Sequence, residues 1–225
     1  MSLITTSYAK PLMIAHAGGG INGQNYSNSI EALNENYAKG FRTFEMDFSW
    51  TADDQLVCLH DWKKRFKKVF GFKTKQPLSL NEFQKLIEDT DKLHPCTLDS
   101  LVIWLIDHRD AKIITDVKYD NLDAIKLIIE KHPTIKSQLI PQFYQPSEYQ
   151  ILKNMGFEKL IWILYQYKGS LRSVVKQVEN MKLVAVSMRA SQAKKRVMQQ
   201  MKKNGVNLFV YTINKENKLK KLVKS

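Results

Sequence analysis

The feature that most constrains the fold is the alternation of short β-rich runs with amphipathic segments along the chain. Eight strand candidates recur, at residues 12–16, 42–48, 55–60, 112–118, 138–143, 160–165, 183–188 and 207–213. Helical patterns separate most of them, such as NLDAIKLIIEKH over 121–132 and LRSVVKQVENM over 171–181. Because strands separated by helices form parallel β/α units, eight units predict an α/β fold of the (β/α)8 TIM-barrel type. We expect residues 1–225 to form a single domain of this kind.

The chain carries an excess of positive charge, with a formal net charge of +13. Such an excess favours phosphate-bearing substrates, an anionic membrane surface or nucleic acid as partners. The usual nucleic-acid-binding motifs do not occur in the sequence, so we expect no nucleic-acid partner. One lysine-rich run, KKRFKKVF over 63–70, directly follows His60 and Asp61 and could attract an anion to them.

The N-terminus and the two cysteines bear on the cellular location. Residues 1–16 lack the basic start and long apolar core of a signal peptide, so the chain as it stands is expected in the cytoplasm. The alternative is a secreted or cell-surface protein from which a signal has been removed. Cys58 lies in an apolar run and is interpreted as a buried core thiol. A disulfide with Cys96 is possible, but the spacing does not indicate one.

Polar residues capable of chemistry stand late in several of the strand candidates. They are His16, Glu45, Asp47, His60, Asp116, Lys118, Thr212 and Asn214. Alternation along a strand puts Glu45 and Asp47 on one face, and it puts Asp116 and Lys118 on one face for the same reason. In a TIM barrel the carboxyl ends of the strands surround the active site, so these side chains are expected to converge in one mouth.

Three carboxylates in one mouth repel one another unless a cation compensates them. Oxygen ligands of this kind suit a hard divalent cation, so Glu45, Asp47 and Asp116 are predicted to bind Mg²⁺ or Ca²⁺. His16 and His60 serve more naturally there as acid and base than as zinc ligands. In the alternative interpretation, Glu45 and Asp47 form the outward face of an edge strand. The histidines for which we expect no role in the site are His94, His108 and His132.

In these residues the sequence resembles the glycerophosphodiester phosphodiesterase family, which has a TIM-barrel fold. The resemblance extends from about Leu12 to Asn214, nearly the full chain. Its motifs are His16-Ala17-Gly18, Asn28-Ser29, Glu45-x-Asp47, Leu59-His60-Asp61, Asp116-x-Lys118 and Tyr211-Thr212-Ile213-Asn214. Each motif alone is weak, whereas their order and spacing together are specific.

The resemblance implies a metal-dependent phosphodiester hydrolase of glycerol or lipid metabolism that releases glycerol 3-phosphate and an alcohol. It implies that the divalent metal ion is held by Glu45, Asp47 and Asp116. It implies that His16 and His60 are the catalytic acid/base pair, with no order of roles assigned between them. The residues it implies as substrate or phosphate contacts are Lys118, Asn28 and Asn214. Asn28 has two further possible roles, in metal binding or in ordering the loop after His16.

Three departures from the family pattern bear on this interpretation. Ala17 stands where the family usually has an arginine, which removes one cation from the expected phosphate site. Arg42, Lys63 and Lys64 are the candidates to replace it. Asp116 stands where glutamate is usual. The family's short strand after the last motif is missing, so we expect an irregular or truncated C-terminal closure of the barrel.

Two alternative functions remain open from the sequence. The basic clusters, with the loops GGGINGQ and KVFGF, are compatible with a phospholipase D-like or sphingomyelinase D-like enzyme that acts on lipid head groups at an anionic membrane surface. The alanine at position 17 and the missing strand are compatible with a catalytically silent barrel that binds a phosphorylated ligand. The sequence specifies neither the released alcohol nor the oligomeric state.

Overall fold

The computed structural model of the protein describes residues 13–89, 93–193, 195–211, 213 and 217. The strands in these ranges are β1 (Thr43–Trp50), β2 (Leu56–Val57), β3 (Lys112–Val117), β4 (Leu139–Phe143), β5 (Ile161–Ile163), β6 (Ala185–Arg189) and β7 (Asn207–Tyr211). The α-helices are α1 (Ile30–Ala38), α2 (Lys64–Phe70), α3 (Leu80–Glu88), α4 (Leu98–Asp107), α5 (Asn121–Lys131), α6 (Pro146–Asn154), α7 (Leu171–Val178) and α8 (Lys195–Lys203). One α-helix follows each strand from β3 to β6, as the predicted β/α alternation requires.

The strands form one sheet in the order β2-β1-β3-β4-β5-β6-β7. Neighbouring strands are parallel except for β1 and β2, which pair antiparallel. The prediction of 55–60 as a β/α strand is therefore wrong, since only Leu56 and Val57 form a strand there. Residues 51–55 alone connect β1 to β2, and so short a connection permits a hairpin but not the crossover that a parallel pair needs.

The first strand candidate, 12–16, is reduced to a single backbone bridge in the described residues. Residue 12 lies outside the described ranges, Ala15 forms an isolated parallel bridge with Phe44, and His16–Gly18 form a 3-10 turn. At the other end of the sheet, the described part of the chain pairs β7 with β6 alone. The described strands therefore do not complete a hydrogen-bonded circle. The predicted α/β class is confirmed, and the irregular closure agrees with the prediction.

Strand β1 separates two environments because its successive side chains point to opposite faces. Phe44, Met46 and Phe48 belong to the main hydrophobic cluster, which also contains residues of the helices. Glu45 and Asp47 instead line a cavity on the other face. Ile114 and Ile161, which also line that cavity, belong to a smaller buried cluster on the parallel strands together with Ile140 and Ala185.

Two helices, α2 and α3, lie in sequence between β2 and α4. The run KKRFKKVF, interpreted from the sequence only as a basic cluster with a loop, forms α2, which ends at Gly71 with a φ of 87°. Phe66 and Phe83 are buried together in an aromatic cluster that joins α2 to α3. Within the described residues, no helix combines the length and the apolar character needed to cross a bilayer.

Candidate active site

Three carboxylates meet at the carboxyl ends of β1 and β3. The parallel register of these strands pairs Asp47 with Asp116. One oxygen from each of Glu45, Asp47 and Asp116 lies within 4.8 Å of the others. Glu45 and Asp47 are only 7% and 1% exposed, so they do not form the outward face of an edge strand. The structure thus brings together the three predicted metal ligands.

The loop before α1 holds two of these carboxylates. The backbone N–H of Ala17 donates to Glu45 Oε2 at 2.9 Å. Asn28 Nδ2 donates to Asp47 Oδ2 at 3.0 Å, and Asn28 Oδ1 accepts from the backbone N–H of Asp47 at 3.1 Å. Both polar ends of the Asn28 amide therefore contact Asp47, which favours an ordering role for Asn28 among the roles predicted for it.

Lys118 and Tyr144 contact the carboxylates from the neighbouring strand ends. Lys118 Nζ lies 3.1 Å from Asp47 Oδ1 and 3.6 Å from Asp116 Oδ2. Tyr144, directly after β4, donates its phenol hydrogen to Asp116 Oδ1. In this arrangement the ammonium group of Lys118, predicted as a phosphate contact, compensates carboxylate charge.

Lys118 does not compensate all three carboxylates equally. Burial raises the pKa of Glu45 well above its usual range, and the charges of Asp47 and Asp116 raise it further. Burial also raises the pKa of Asp116. Burial is also the largest influence on Asp47 and acts in the same direction, but Lys118, His60, the hydrogen bond from Asn28 and His16 together outweigh it, so the pKa of Asp47 lies below its usual value. The site is therefore short of positive charge beside Glu45.

The residues present fit a divalent cation. Glu45 Oε1 is buried and has no hydrogen-bond partner among the described residues. With all three carboxylates ionised, as metal ligands are, they and Lys118 carry formal charges of −3 and +1, which leaves −2 for a bound ion to balance. Carboxylate oxygens are the ligands that Mg²⁺ and Ca²⁺ prefer. Donor type, burial and charge all agree with the predicted metal site.

The carboxylates lie in the wall of a cavity of about 750 Å³. This volume is within the range of small-molecule sites, roughly 300–1,000 Å³. Both predicted acid/base residues, His16 and His60, line the cavity together with Lys118. Apolar side chains such as Ile114 and Phe209 also line it. The arrangement suits a small anionic molecule with an uncharged portion.

His16 lies beside Glu45, with 3.5 Å between His16 Nε2 and Glu45 Oε2. Burial lowers the pKa of His16, and the positive charges of His60 and Lys118 lower it further, against an opposing effect of Asp47. The imidazole is therefore neutral at pH 7. A neutral imidazole is the form that can accept a proton.

His60 is oriented by the residue that follows it. Its Nδ1 lies 2.8 Å from Asp61 Oδ2, so the ionised carboxylate favours a hydrogen on Nδ1 and leaves Nε2 for proton exchange. Asp61 Oδ1 also accepts from the backbone N–H groups of Lys63 and Lys64, at 2.9 and 2.6 Å. The Asp61 carboxylate thus orients His60 and also accepts hydrogen bonds from the backbone at the start of α2.

A disulfide joins Cys58, which stands two residues before His60, to Cys96. The interpretation of Cys58 as a free thiol is therefore wrong, although the residue is buried as predicted. The backbone N–H of Cys58 donates to Cys96 O at 2.7 Å, and the N–H of Cys96 donates to Asn28 O at 2.9 Å. The bridge connects the segment that carries His60 to the loop that holds Asp47.

The structure distinguishes among the candidates to replace the missing family arginine. Arg42 lies at the amino end of β1, away from the carboxylates, and its Nε donates to Asp110 Oδ2 at 2.7 Å. The side chains of Lys63 and Lys64 are exposed and do not line the cavity. Among the described residues, the one arginine that lines the cavity is Arg65, which the sequence analysis did not single out.

Sequence reasoning also missed Tyr144 and the orienting role of Asp61. Tyr144 directly follows the strand candidate 138–143, so the rule that selected the other strand-end residues would have found it. Asn214 lies outside the described residues, as does Thr212, and its contact with substrate stays a prediction. The histidines expected to have no role do not line the cavity; they are His94, His108 and His132.

Solved structures of similar fold include several phosphodiesterases. The glycerophosphodiester phosphodiesterase from Thermotoga maritima has a TM-score of 0.75 at 19% identity, covering 96% of this chain and 91% of that one. A phosphodiesterase from Oleispira antarctica, in complex with the product sn-glycerol-3-phosphate, has a TM-score of 0.71 at 17% identity, covering 95% and 89%. A glycerophosphodiester phosphodiesterase from Agrobacterium tumefaciens has a TM-score of 0.66 at 15% identity, covering 94% and 91%. At these identities the likeness shows the fold.

Family membership rests on the sequence itself. A comparison with curated protein sequences found no match. The model of the glycerophosphoryl diester phosphodiesterase family matches residues 18–141, more than half of the chain. The matched segment contains Glu45, Asp47, His60, Asp116 and Lys118. The chain therefore belongs to the glycerophosphoryl diester phosphodiesterase family.

Proposed function

We propose that the protein is a metal-dependent enzyme that hydrolyses glycerophosphodiesters to sn-glycerol 3-phosphate and an alcohol. The observation that carries this proposal is the convergence of three carboxylates, two histidines and one lysine in a single cavity of a member of this family. The Oleispira antarctica phosphodiesterase was solved with sn-glycerol-3-phosphate as its product. That observation supports the same product for a cavity of this size and charge.

Glu45, Asp47 and Asp116 would hold the divalent metal ion, Mg²⁺ or Ca²⁺. When bound, such an ion offsets negative charge that develops on the phosphoryl oxygens. Lys118 places a further positive charge beside Asp47 and Asp116, where it can contact a phosphate oxygen while it still compensates the carboxylates.

The two histidines would transfer the protons of the reaction. One accepts the proton of the attacking water, or of a neighbouring hydroxyl of the substrate, as its oxygen bonds to phosphorus. The bond from phosphorus to the alcohol oxygen breaks, and the other histidine donates a proton to that oxygen. Attack by water gives sn-glycerol 3-phosphate directly, whereas attack by the substrate's hydroxyl gives a cyclic phosphate that one water molecule must then open. Burial keeps His16 neutral and Asp61 orients His60, so each residue is prepared for proton exchange.

Turnover of glycerophosphocholine tests the proposal directly. We expect hydrolysis in Mg²⁺ or Ca²⁺ and its loss in EDTA. His16→Ala and His60→Ala should each lower kcat by about 10²–10⁴-fold, the usual contribution of a general acid or base. His132→Ala is the matched control, because His132 lies outside the cavity. Metal-dependent turnover that survives both cavity substitutions would refute the mechanism, and phosphate binding without turnover on any diester would refute the activity.

We also propose an anionic membrane surface as a partner of α2 and the turn after it. Lys67, Lys68, Lys73 and Lys75 are exposed there, beside Phe72, whose exposed fraction is 46%. Clustered cations with an exposed aromatic ring bind anionic lipid surfaces. In sedimentation with vesicles, we expect binding to phosphatidylglycerol but not to phosphatidylcholine, and weaker binding for Phe72→Ser. Equal binding to both lipids, or to neither, would contradict this proposal.

The disulfide supports the secreted or cell-surface alternative for the location, which we propose here. Disulfides persist in oxidising compartments and are rare in the cytosol. The producing cells and their medium are denatured directly in the presence of an alkylating reagent, so that the thiol state of the protein is preserved. We expect no alkylated cysteine in the protein. Two alkylated cysteines would contradict the proposed location.

A further inference from the structure

Not every positively charged side chain that lines the cavity is available to bind an anion. Among the described residues, the lysine and arginine side chains that line it are Lys118 and Arg65. Lys118 Nζ lies between two carboxylates, 3.1 Å from Asp47 and 3.6 Å from Asp116. Most of its charge is therefore compensated before any anion arrives. An anionic substrate needs a second cation that no carboxylate neutralises.

Arg65 meets that requirement. It lies in the first turn of α2 and is half-buried at the cavity wall. Within the described residues, it takes part in no ion pair with a carboxylate. Asp61 accepts only its backbone N–H, at 3.2 Å. The guanidinium group therefore keeps its full charge at the cavity.

The ring of Tyr26 holds the guanidinium group beside the catalytic candidates. Arg65 Cζ lies 4.2 Å from the centroid of the Tyr26 ring, a cation–π contact. The same ring meets His16 edge to face, with 4.6 Å between centroids. Tyr26 thus lies between Arg65 and His16 and sets the position of Arg65 relative to the acid/base pair.

The backbone of Tyr26 indicates that this placement is specific. Its φ is 64°, in the left-handed region that bulky residues rarely occupy. Such conformations cost about 1–3 kcal/mol and persist where the surrounding contacts determine them. The ring contacts with Arg65 and His16 are contacts of this kind.

The other end of the loop cannot supply the missing cation. Ala17 has no exposed surface, and its N–H already donates to Glu45. Ala17 does not line the cavity and carries no charge. The cation reaches the cavity from α2 instead, on the opposite side of Tyr26.

We propose that Arg65 binds the phosphate group of the substrate, with Tyr26 as its positioning residue; this inference rests on the proposed phosphodiesterase function. A guanidinium group can donate two parallel hydrogen bonds to two oxygens of one phosphate. Lys118 and the metal site would face the phosphate from the carboxylate wall, and Arg65 would face it from α2. Arg65 is then a determinant of affinity and specificity for the phosphate group.

Calorimetry with sn-glycerol 3-phosphate and with inorganic phosphate, in Mg²⁺, tests the inference. Hydrogen bonds to charged groups contribute enough that Arg65→Gln should weaken binding of both probes about 10–100-fold. Arg65→Lys should lie between, because lysine retains the charge but not the paired donors. Lys64→Gln is the matched control: it removes the same charge one residue earlier, from an exposed side chain, and should bind within about twofold of the wild type.

A double-mutant cycle tests the role of Tyr26. Tyr26→Leu should weaken phosphate binding severalfold in the wild type and have no further effect in Arg65→Gln, because the ring acts through the guanidinium group. Equal losses in both backgrounds would overturn the positioning role. Mg²⁺ affinity should be the same in all variants; a parallel loss of Mg²⁺ affinity in Arg65→Gln and Arg65→Lys would overturn the phosphate assignment.

The outcomes separate this inference from the proposed function. If the wild type hydrolyses diesters but Arg65→Gln binds both probes within twofold of it, the inference fails and the proposed function stands. If phosphate binding depends on Arg65 but the wild type hydrolyses no diester, the proposed function fails and the inference stands. Failure of the wild type to bind either probe overturns the inference.

Discussion

Replacing Glu45 by glutamine should stabilise the metal-free protein at pH 7. The Glu45 carboxyl is buried beside Asp47 and Asp116, and its Oε1 has no partner among the described residues. Glutamine keeps an oxygen that can accept from the N–H of Ala17, so the substitution removes the charge and retains the hydrogen bond. The variant therefore isolates the cost of an uncompensated buried carboxylate.

The sign of the pH dependence follows from the raised pKa. Burial lifts the folded-state pKa of Glu45 well above the unfolded value of 4.5. The contribution of Glu45 to stability is therefore fully present below pH 4.5, and it is lost as the pH rises through the folded-state pKa. Glutamine does not titrate. The stability difference between the variant and the wild type should be smallest near pH 4.5 and should grow towards pH 7.

The magnitude has an upper limit that does not depend on the folded-state pKa. At pH 7 the unfolded chain has an ionised Glu45, and the folded protein can avoid the buried charge by taking up one proton. That proton costs about 1.36 kcal/mol for each pH unit above the unfolded pKa. Over the roughly 2.5 units from 4.5 to 7, the limit is about 3.4 kcal/mol. For a chain of this size, 3.4 kcal/mol corresponds to a rise in Tm of about 7–14 °C.

Urea denaturation in EDTA, followed by circular dichroism at pH 7 and pH 4.5, measures this difference. Glu158→Gln is the matched control, because Glu158 is exposed and its substitution should change stability by less than about 0.5 kcal/mol. Mg²⁺ or Ca²⁺ should reverse the order of the two proteins. At one thousand times its dissociation constant, the ion stabilises the wild type by about 4.1 kcal/mol, which exceeds the limit of about 3.4 kcal/mol, whereas Glu45→Gln has lost a charged ligand.

Two results would refute this reasoning. If Glu45→Gln is less stable than the wild type in EDTA at pH 7, the carboxylate is compensated by groups of the protein itself. If the metal ion stabilises both proteins equally, Glu45 is not a ligand. The two results are independent, so the electrostatic and the metal-binding parts of the argument can fail separately.

Three further predictions concern the groups around the carboxylates. Asn28→Asp puts a carboxylate against Asp47, so urea denaturation in EDTA at pH 7 should show a loss of about 3 kcal/mol in the free energy of unfolding. A loss that persists at pH 4 would show that repulsion between the two carboxylates is not its cause. Tyr144→Phe removes the donor to Asp116, so calorimetry should show roughly tenfold weaker metal binding, and unchanged affinity would exclude that role. Replacing both cysteines by serine should lower the free energy of unfolding by about 4 kcal/mol, since the bridge spans 38 positions. An unchanged urea midpoint would show that the bridge does not stabilise the folded protein.

The carboxylate cluster could be predicted from the sequence because it depends on strand geometry. Alternation puts Glu45 and Asp47 on one face whatever the neighbouring strand is. Asp116 joins them because β1 and β3 are parallel and in register, and parallel β/α units were predicted from the order of elements. The same rule applies to Tyr144, one residue past β4, but tyrosine is not a usual metal ligand or acid/base residue and was passed over.

Arg65 could not be predicted because its position depends on contacts between distant segments. The run KKRFKKVF was expected to attract an anion, but its composition does not indicate which of its cations faces the cavity. That depends on its helix, which is stabilised by the burial of Phe66 in one cluster with Phe83, 17 positions later. The disulfide depends on tertiary structure in the same way. Cys58 and Cys96 have Cα atoms 5.0 Å apart although 38 positions separate them, because residues 96 and 97 lie beside the end of β2.

The loop before α1 couples the separate parts of the site. Ala17, Tyr26 and Asn28 all have positive φ, which for residues other than glycine is unfavourable by about 1 kcal/mol or more. Each of them contacts a different functional group, because Ala17 binds Glu45, Asn28 binds Asp47 and Tyr26 supports Arg65. The loop conformation is therefore stabilised by the same carboxylates that fit the metal ion and by the cation proposed to bind phosphate. We therefore expect that a change in the charge of the carboxylates or of Arg65 alters the conformation of this loop, and with it the position of His16.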